Sequence, residues 1–244
     1  EKYADNVKRA VAYLESAWED EASGLLYIPR AGNWADEYIQ QGFVLYDEVL
    51  WYMAIREYAD LLEAAGSPGV DEYRAKALRI KDAIIKNFWI HDLVAPAPLY
   101  ERLSAKFDFS RTGYYIHFYH SSDKRKASFG HPCAIFDAFG NILALLAGMV
   151  PGEHMEMMTR FIDEISVNKY PLIPAHYPFF PEETFRHPRL HQYRFKQFVG
   201  HFHNGGLWPW YTGLYAAAMW DAGRKETAMR FLRGIDRANS EVKD

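Results

Sequence analysis

The stretch CAIFDAFGNILALLAGMVPGEHMEMMTRFIDEI, residues 133–165, decides the fold that the sequence predicts. Its first half predicts a helix over 133–149 that is apolar around most of its circumference, and VPGE is a tight helix-to-helix turn. Its second half predicts a helix over 152–167 with apolar residues at helical spacing and a charged face. Because a helix that is apolar all round is buried and an amphipathic helix covers it, the stretch predicts a hairpin of an inner and an outer helix.

The same hairpin recurs along the chain. Inner helices are predicted at 42–65, 133–149 and 208–222, outer helices at 70–89, 152–167 and 224–239, and one further helix at 3–18. Stacked hairpins predict an all-α fold, an α/α toroid of antiparallel helix hairpins in one domain, residues 1–244. An open solenoid and an irregular helical bundle are the alternatives. Residues 91–130 are irregular, and their short alternating pieces show no sustained strand pattern.

Composition narrows the classes of function. The chain has 244 residues, 49% of them hydrophobic and 25% charged, so it can bury a sizeable core. A net charge of −4 without a basic tract argues against a nucleic-acid partner. The single Cys133 excludes an intramolecular disulfide, and no apolar run is long enough to cross a membrane. The cytoplasm is the default location, with secretion by a removed leader as the alternative, and no cofactor is predicted.

The loop before the first inner helix, GNWADEYIQQGF at 32–43, carries the candidate catalytic residue. Asp36 lies two residues after Trp34, and a carboxyl beside a large aromatic ring can be desolvated, which raises its pKa and suits a general acid. The alternative is a helix N-cap made by Asn33 or Asp36. Asp47, inside the apolar helix, needs a partner or a wet cavity, so it binds sugar hydroxyls or pairs with a basic residue. Trp34, Tyr38 and Asp47 are therefore predicted to bind substrate.

The second junction, SFGHPCAIFDAFGN at 128–141, contributes His131, Asp137 and Asn141 to the predicted substrate site. Asp137 and Asn141 lie four residues apart, on one face of the predicted helix. Asp137 could equally be an N-cap or a partner of Asn141, and His131 could be an ordinary loop residue.

The third junction, HFHNGGLWPWY at 201–211, combines flat aromatic rings with hydrogen-bonding groups, which is what a sugar ring requires. Its predicted substrate-binding residues are His203, Asn204, Trp208 and Trp210. His201 and His203 alternate in an extended segment and point to opposite faces, and neither an HExxH motif nor a cysteine pair is present. No metal site is therefore predicted, and the glycines lack the sequence context of a phosphate loop.

Three motifs together resemble a known family. NWADEYIQQGFVLYDEVLWYMAI, FDAFGNILALLAG and HNGGLWPW occur in this order in the alkaline/neutral invertase-like and amylo-α-1,6-glucosidase-like glycoside hydrolases, and the resemblance spans about residues 30–225. It implies an (α/α)6 barrel and hydrolysis of an α-glucosidic or sucrose-like bond by an inverting two-carboxylate mechanism. It implies Asp36 as the general acid, with a sugar pocket shaped by Asp137, His203, Asn204 and Trp208.

The chain departs from this family pattern in three places. Seven predicted helices make only part of a twelve-helix barrel. The family's second catalytic carboxylate, a glutamate downstream of HNGG, has no match in the sequence, so either it lies beyond Asp244 or the chain is not a complete hydrolase. The segment 171–200 matches nothing in the family and is expected to cap the site. Two other functions fit the sequence: a non-catalytic carbohydrate-binding toroid, and a sugar epimerase or isomerase using histidines for proton transfer. The histidines of that alternative are His117, His120, His131, His201 and His203.

Overall fold

The structure, a computed structural model, describes residues 3–31, 33–35, 38, 40–93, 98–180 and 198–241. In these ranges the chain forms eight α-helices and five β-strands. The helices are α1 (Ala4–Trp18), α2 (Leu45–Ala64), α3 (Val70–Phe88), α4 (Pro98–Ser104), α5 (Ala138–Leu146), α6 (Gly152–Ile165), α7 (Pro209–Asp221) and α8 (Lys225–Glu241). The strands are β1 (Ile28–Ala31), β2 (Gln40–Val44), β3 (Ile116–His120), β4 (Pro132–Asp137) and β5 (His176–Tyr177).

The five strands form one antiparallel sheet in the order β1–β2–β3–β4–β5. The prediction of an all-α toroid made only of helix hairpins is therefore wrong, because the fold combines α-helices with a β-sheet. The strands are two to six residues long, and β2, β3 and β4 are buried at most positions instead of at every second one. Sequence periodicity cannot detect such strands, because alternation needs a longer half-buried run.

The predicted helices are present, with two of them shortened at their start. β2 occupies the beginning of the helix predicted at 42–65, so α2 starts at Leu45. β4 occupies 132–137, so α5 starts at Ala138. The inner helix α5 packs against both α2 and α7, and the outer helices α3 and α8 pack on α2 and α7. Among the described residues, no helix combines the length and apolar character that a membrane span requires.

Aromatic side chains join the sheet to the outer helix α6. The ring of Phe161 on α6 lies 4.4 Å from that of Tyr114 and 5.3 Å from that of Phe136 on β4, measured between centroids. All three side chains are fully buried. Burial of such large rings is the main favourable contribution to folding, so this contact holds α6 against the strands that support the site.

Glu48 is a buried carboxyl that ties α2 to the segment before β1. Its Oε2 accepts a hydrogen bond of 2.9 Å from the backbone N–H of Leu26, whereas its Oε1 has no hydrogen-bond partner in the described part of the chain. Burial raises the pKa of Glu48 well above its ordinary value of 4.5, the Leu26 bond opposes this shift, and the neighbouring Asp47 adds to it. The folded protein therefore holds a proton on Glu48 that the unfolded chain releases more readily.

This linkage makes stability depend on pH. A carboxyl whose pKa is raised on folding contributes stability that is lost as the pH rises through its folded value. Relative to Glu48→Gln, the wild-type free energy of unfolding should fall above pH 4.5, by at most about 1.4 kcal/mol per pH unit. Chemical unfolding at a series of pH values measures it, with the exposed Glu21→Gln as the control. Parallel curves for wild type and Glu48→Gln would contradict the linkage.

Candidate functional site

The sheet places the starts of two inner helices, α2 and α5, at the same end of its strands. β3 lies between β2 and β4 and is antiparallel to both, so β2 and β4 run in the same direction. β2 continues directly into α2, and β4 continues directly into α5. Asp47 lies in the first turn of α2, and Asp137 ends β4 as the N-cap of α5. Two carboxyls from distant parts of the chain therefore lie at the same end of the sheet.

Asp137 is fully buried and is held by several donors. Its Oδ1 accepts a hydrogen bond of 3.1 Å from the backbone N–H of Phe139, and its Oδ2 accepts one of 3.4 Å from Trp34 Nε1. Burial raises the pKa of Asp137 to about 7, although hydrogen bonds from Gly140, Trp34 and Phe139 oppose the shift. Asp137 therefore keeps its proton to a much higher pH than an ordinary aspartate does.

Asp47 differs from Asp137 because its side chain is partly exposed. Its Oδ2 accepts a hydrogen bond of 3.4 Å from Asn33 Nδ2. Desolvation by the surrounding protein and, to a smaller extent, the nearby Asp137 raise the pKa of Asp47 to about 6, although the hydrogen bond from Asn33 opposes the shift. Asp47 therefore keeps its proton up to about pH 6, well above an ordinary aspartate, and its side chain remains accessible.

The consecutive residues Asn33 and Trp34 each contact one of these carboxyls. The loop is held by its own turn, in which the backbone N–H of Ala35 donates to Asn33 Oδ1 at 3.0 Å. The Trp34 ring lies at the centre of an aromatic cluster, with ring centroids 5.2–6.4 Å from those of Phe139, His176, His203, Trp210 and Tyr211. The cluster joins the loop, α5 and α7 into one surface beside the two carboxyls.

Part of this aromatic cluster faces solvent. Trp34 and Phe139 are partly exposed, and Trp210 is 44% exposed with its ring centroid 4.5 Å from that of Phe139. A sugar has C–H groups that stack on flat aromatic rings and hydroxyls that form hydrogen bonds. Apolar rings next to hydrogen-bonding carboxyls match both kinds of group.

Two histidines lie beneath this surface, fully buried on β3 and β5. His117 Nδ1 is 3.6 Å from Asp137 Oδ2, and His176 Nε2 is 4.0 Å from Asp137 Oδ1. Burial lowers the pKa of His117 well below its usual value and that of His176 to about 4, so both rings are neutral at physiological pH. The register of the sheet places them here, because Asp137 pairs with His176 across β4 and β5.

The loop of His203, Asn204 and the two glycines that follow is tightly packed and supports this surface. Asn204 is fully buried, its Oδ1 accepts from the backbone N–H of Phe180 at 2.7 Å, and its Nδ2 donates to the Phe180 carbonyl at 3.0 Å. Gly205 has φ +92°, and a Cβ there would lie 2.2 Å from the Phe179 ring. The glycines therefore meet a steric requirement, because the loop leaves no space for a side chain at Gly205.

Two histidines of the predicted site region lie in contrasting places. His203 is buried and stacks on Trp208 with centroids 5.5 Å apart, whereas His201 is exposed. The exposed His131 precedes β4, at the opposite end of this strand from Asp137, so the structure does not bring it to the carboxyls.

Tyr38 and Asn141 are buried within the support of the site. Tyr38 packs edge-on against His176, with centroids 5.2 Å apart. Asn141 uses its amide on backbone groups, accepting from Tyr115 N–H and donating to the carbonyls of Tyr115 and Asp137, each at 2.9 Å.

Asp36, the general acid of the sequence analysis, lies outside the described residues, as does 181–197 of the segment expected to cap the site. Sequence reasoning missed Asn33 as a partner of Asp47, and it missed Gln40 and His176 altogether. It considered His117 only for an epimerase. The strand register places these residues at the site, and no short-range pattern of the sequence reveals that register.

Comparisons with known proteins identify a shared fold. No family model matches the chain, and no curated protein matches it by sequence. Among solved structures, it is similar to a GH63 mannosylglycerate hydrolase from Thermus thermophilus in complex with glucose, at 14% identity and a TM-score of 0.51. It is also similar to a GH78 family rhamnosidase of Bacillus sp. GL1, at 16% identity and a TM-score of 0.53.

These likenesses concern only part of each neighbour. The match covers 80% of this chain and 38% of the mannosylglycerate hydrolase, and 95% of this chain and 18% of the rhamnosidase. The chain thus shares the fold of a portion of two glycoside hydrolases.

Proposed function

We propose that the protein acts as a glycoside hydrolase on an α-glucosidic or sucrose-like bond, with Asp47 as the proton donor. The observation that carries the proposal is the pair of carboxyls at the strand-to-helix junctions, whose pKa values are raised to about 6 for Asp47 and about 7 for Asp137. Glycosidic cleavage needs a carboxyl that is protonated near neutral pH, because the leaving oxygen must receive a proton as the bond breaks. The fold shared with two glycoside hydrolases supports this assignment.

Accessibility favours Asp47 over Asp137 for this role. Asp137 is fully buried and is occupied by the N-terminus of α5 and by the Trp34 indole, so it positions its neighbours and adds negative charge near Asp47. Asp47 is partly exposed beside Tyr46, whose ring lies 5.4 Å from that of Phe139. A substrate stacked on these rings would place its glycosidic oxygen within reach of the Asp47 carboxyl.

Asp36 is the second candidate for the proton donor. It follows the Asn33–Trp34 pair, and the family resemblance implies it in the same role. An inverting mechanism also needs a second carboxylate that activates water.

Hydrolysis of a panel of substrates tests the proposal. Purified protein is incubated with sucrose and with maltose-type and isomaltose-type α-glucosides, and released reducing sugar is measured together with the anomer that forms first. Release that Asp47→Asn or Asp36→Asn abolishes supports hydrolysis, and inversion of the anomer supports the two-carboxylate mechanism. Sugar binding without release would favour the binding toroid, and conversion of one free sugar to another would favour the epimerase.

Trp210 offers a separate test of the sugar-binding surface. Because its half-exposed ring would stack on the sugar, Trp210→Ala should weaken substrate binding about 3–10-fold, the value of one aromatic contact, with little change in kcat. Trp220→Ala is the matched control, since Trp220 lies on the same helix and is 47% exposed. Equal KM changes in the two variants would contradict a specific platform at Trp210.

A further inference from the structure

Three potential metal ligands meet beneath the aromatic surface, from three adjacent strands. His117 lies on β3, Asp137 at the end of β4 and His176 on β5. Each offers one ligand atom, all three side chains are fully buried, and the three atoms lie within 4.8 Å of one another. The sequence predicts no metal site at His201 and His203, and this cluster includes neither residue.

Two of the three ligand atoms are unsatisfied. Among the described residues, His117 Nδ1 and His176 Nε2 are buried without a hydrogen-bond partner. A buried polar atom without a partner costs about 1–3 kcal/mol, so two such atoms directed at one carboxylate require an explanation. A cation between them would satisfy both nitrogens and the carboxylate together.

The outer nitrogens of both rings have polar partners, as the outer nitrogens of metal-binding histidines do. His176 Nδ1 lies 2.6 Å from the carbonyl oxygen of His203, so it carries the proton and donates, and the lone pair of Nε2 faces the cluster. His117 Nε2 lies 2.8 Å from the side-chain Nε2 of Gln40, which places the ring proton of His117 on Nδ1. Metal binding needs the Gln40 amide turned over, so that its oxygen accepts from His117 Nε2–H and the lone pair of Nδ1 is free. Such outer partners fix the tautomer and direction of a ligating histidine.

The spacing also suits a cation better than direct hydrogen bonds. The 3.6 Å and 4.0 Å separations from the Asp137 oxygens exceed an ordinary hydrogen bond. Ligands about 2.0–2.1 Å from a tetrahedral zinc ion stand roughly 3.3–3.5 Å apart, whereas the three atoms here lie within 4.8 Å of one another, so contractions of a few tenths of an ångström up to about 1.5 Å close the cluster. Calcium and magnesium prefer sets of oxygen ligands, whereas two imidazoles and a carboxylate suit first-row transition metals.

We propose that His117, Asp137 and His176 bind one divalent transition-metal ion, for which Zn²⁺ is the probe. The ion cross-links β3, β4 and β5 and fixes the carboxylate that caps α5. Its position under Trp34, whose ring stacks 5.7 Å from that of His176, separates it from the half-exposed part of the aromatic surface. Asp137 also belongs to the carboxyl pair of the proposed hydrolase, but formation of the metal site needs no substrate and is tested without it.

Metal content and thermal stability test the site. Chelator-treated protein is reconstituted with Zn²⁺ and desalted, and zinc per chain and the thermal midpoint are measured. About one ion per chain and a raised midpoint are expected, since an ion that binds only the folded state stabilises it. His117→Gln and His176→Gln should lose both effects, and Gln40→Leu should weaken binding roughly 10–100-fold. The exposed His131→Gln is the matched control and should behave as wild type.

Two outcomes would overturn the proposal. The first is wild-type protein that retains no zinc after desalting. The second is equal zinc retention by wild type and the two histidine variants, which places the ion elsewhere on the surface. If the histidine variants do not fold, as judged by circular dichroism, the visible spectrum of Co²⁺-loaded wild type decides. Intense d–d bands of a low-coordinate cobalt site support the site, and the faint spectrum of six-coordinate aqueous cobalt contradicts it. Hydrolase activity is assayed separately, so failure of either proposal is recognisable on its own.

Discussion

Replacing Asp47 with asparagine is expected to lower glycoside hydrolysis by about 10²–10⁴-fold, the contribution of a general acid. The same change should stabilise the protein above pH 6, because the raised pKa of about 6 shows that burial disfavours the Asp47 carboxylate in the folded state. The gain is on the order of 1–3 kcal/mol at pH 8, since one pKa unit corresponds to about 1.4 kcal/mol. Loss of activity together with a gain of stability identifies a residue kept for function.

The pH profile gives the second readout. Wild-type kcat/KM should fall as the pH rises above about 6, because Asp47 then loses the proton that it donates. Asp60→Asn, at an exposed position of α2, is the matched control and should leave rate and stability unchanged. If Asp36→Asn abolishes hydrolysis and Asp47→Asn does not, the proton donor is Asp36, as the sequence analysis proposes.

Replacing Asn141 with alanine is expected to destabilise the fold by about 3 kcal/mol, because it leaves a buried backbone N–H and two carbonyls without their partner. Asn141 joins α5 to Tyr115, next to β3, and to the end of β4. The measurement is chemical unfolding followed by circular dichroism. Asn87→Ala is the control, since Asn87 is partly buried and makes one hydrogen bond within its own helix, so its loss should cost under about 1 kcal/mol. Equal effects of the two substitutions would show that the clamp is unimportant.

The helices could be predicted from the sequence because their signal is local. Apolar residues at helical spacing and the turns VPGE and DAGRKE specify α5, α6, α7 and α8 within a few residues. The sheet could not be predicted, because its strands are short and buried. Its pairings also join residues such as Val44 and Phe118, whose relation depends on the whole fold.

The candidate site shows the same division between local and long-range information. The sequence predicts that Trp34 raises the pKa of the neighbouring Asp36, which lies outside the described residues. In the structure the Trp34 indole donates to Asp137, 103 residues away in sequence. For Asp137, the alternative of a helix N-cap is what the structure shows. Residue types indicate which chemical groups can interact, whereas tertiary contacts decide which residue is the partner.

The common direction of β2 and β4 has a consequence for how such a protein can diversify. With β3 between them, the ends of these strands stand about 9–10 Å apart, a spacing set by backbone hydrogen bonds. The distance between the two helix starts is therefore insensitive to the side chains that surround them. The segment from α2 to α4 connects β2 to β3, and insertions there can change what reaches the carboxyls without moving them apart. Changes in this connecting segment can therefore alter which ligand is preferred, while the spacing of the two helix starts stays the same.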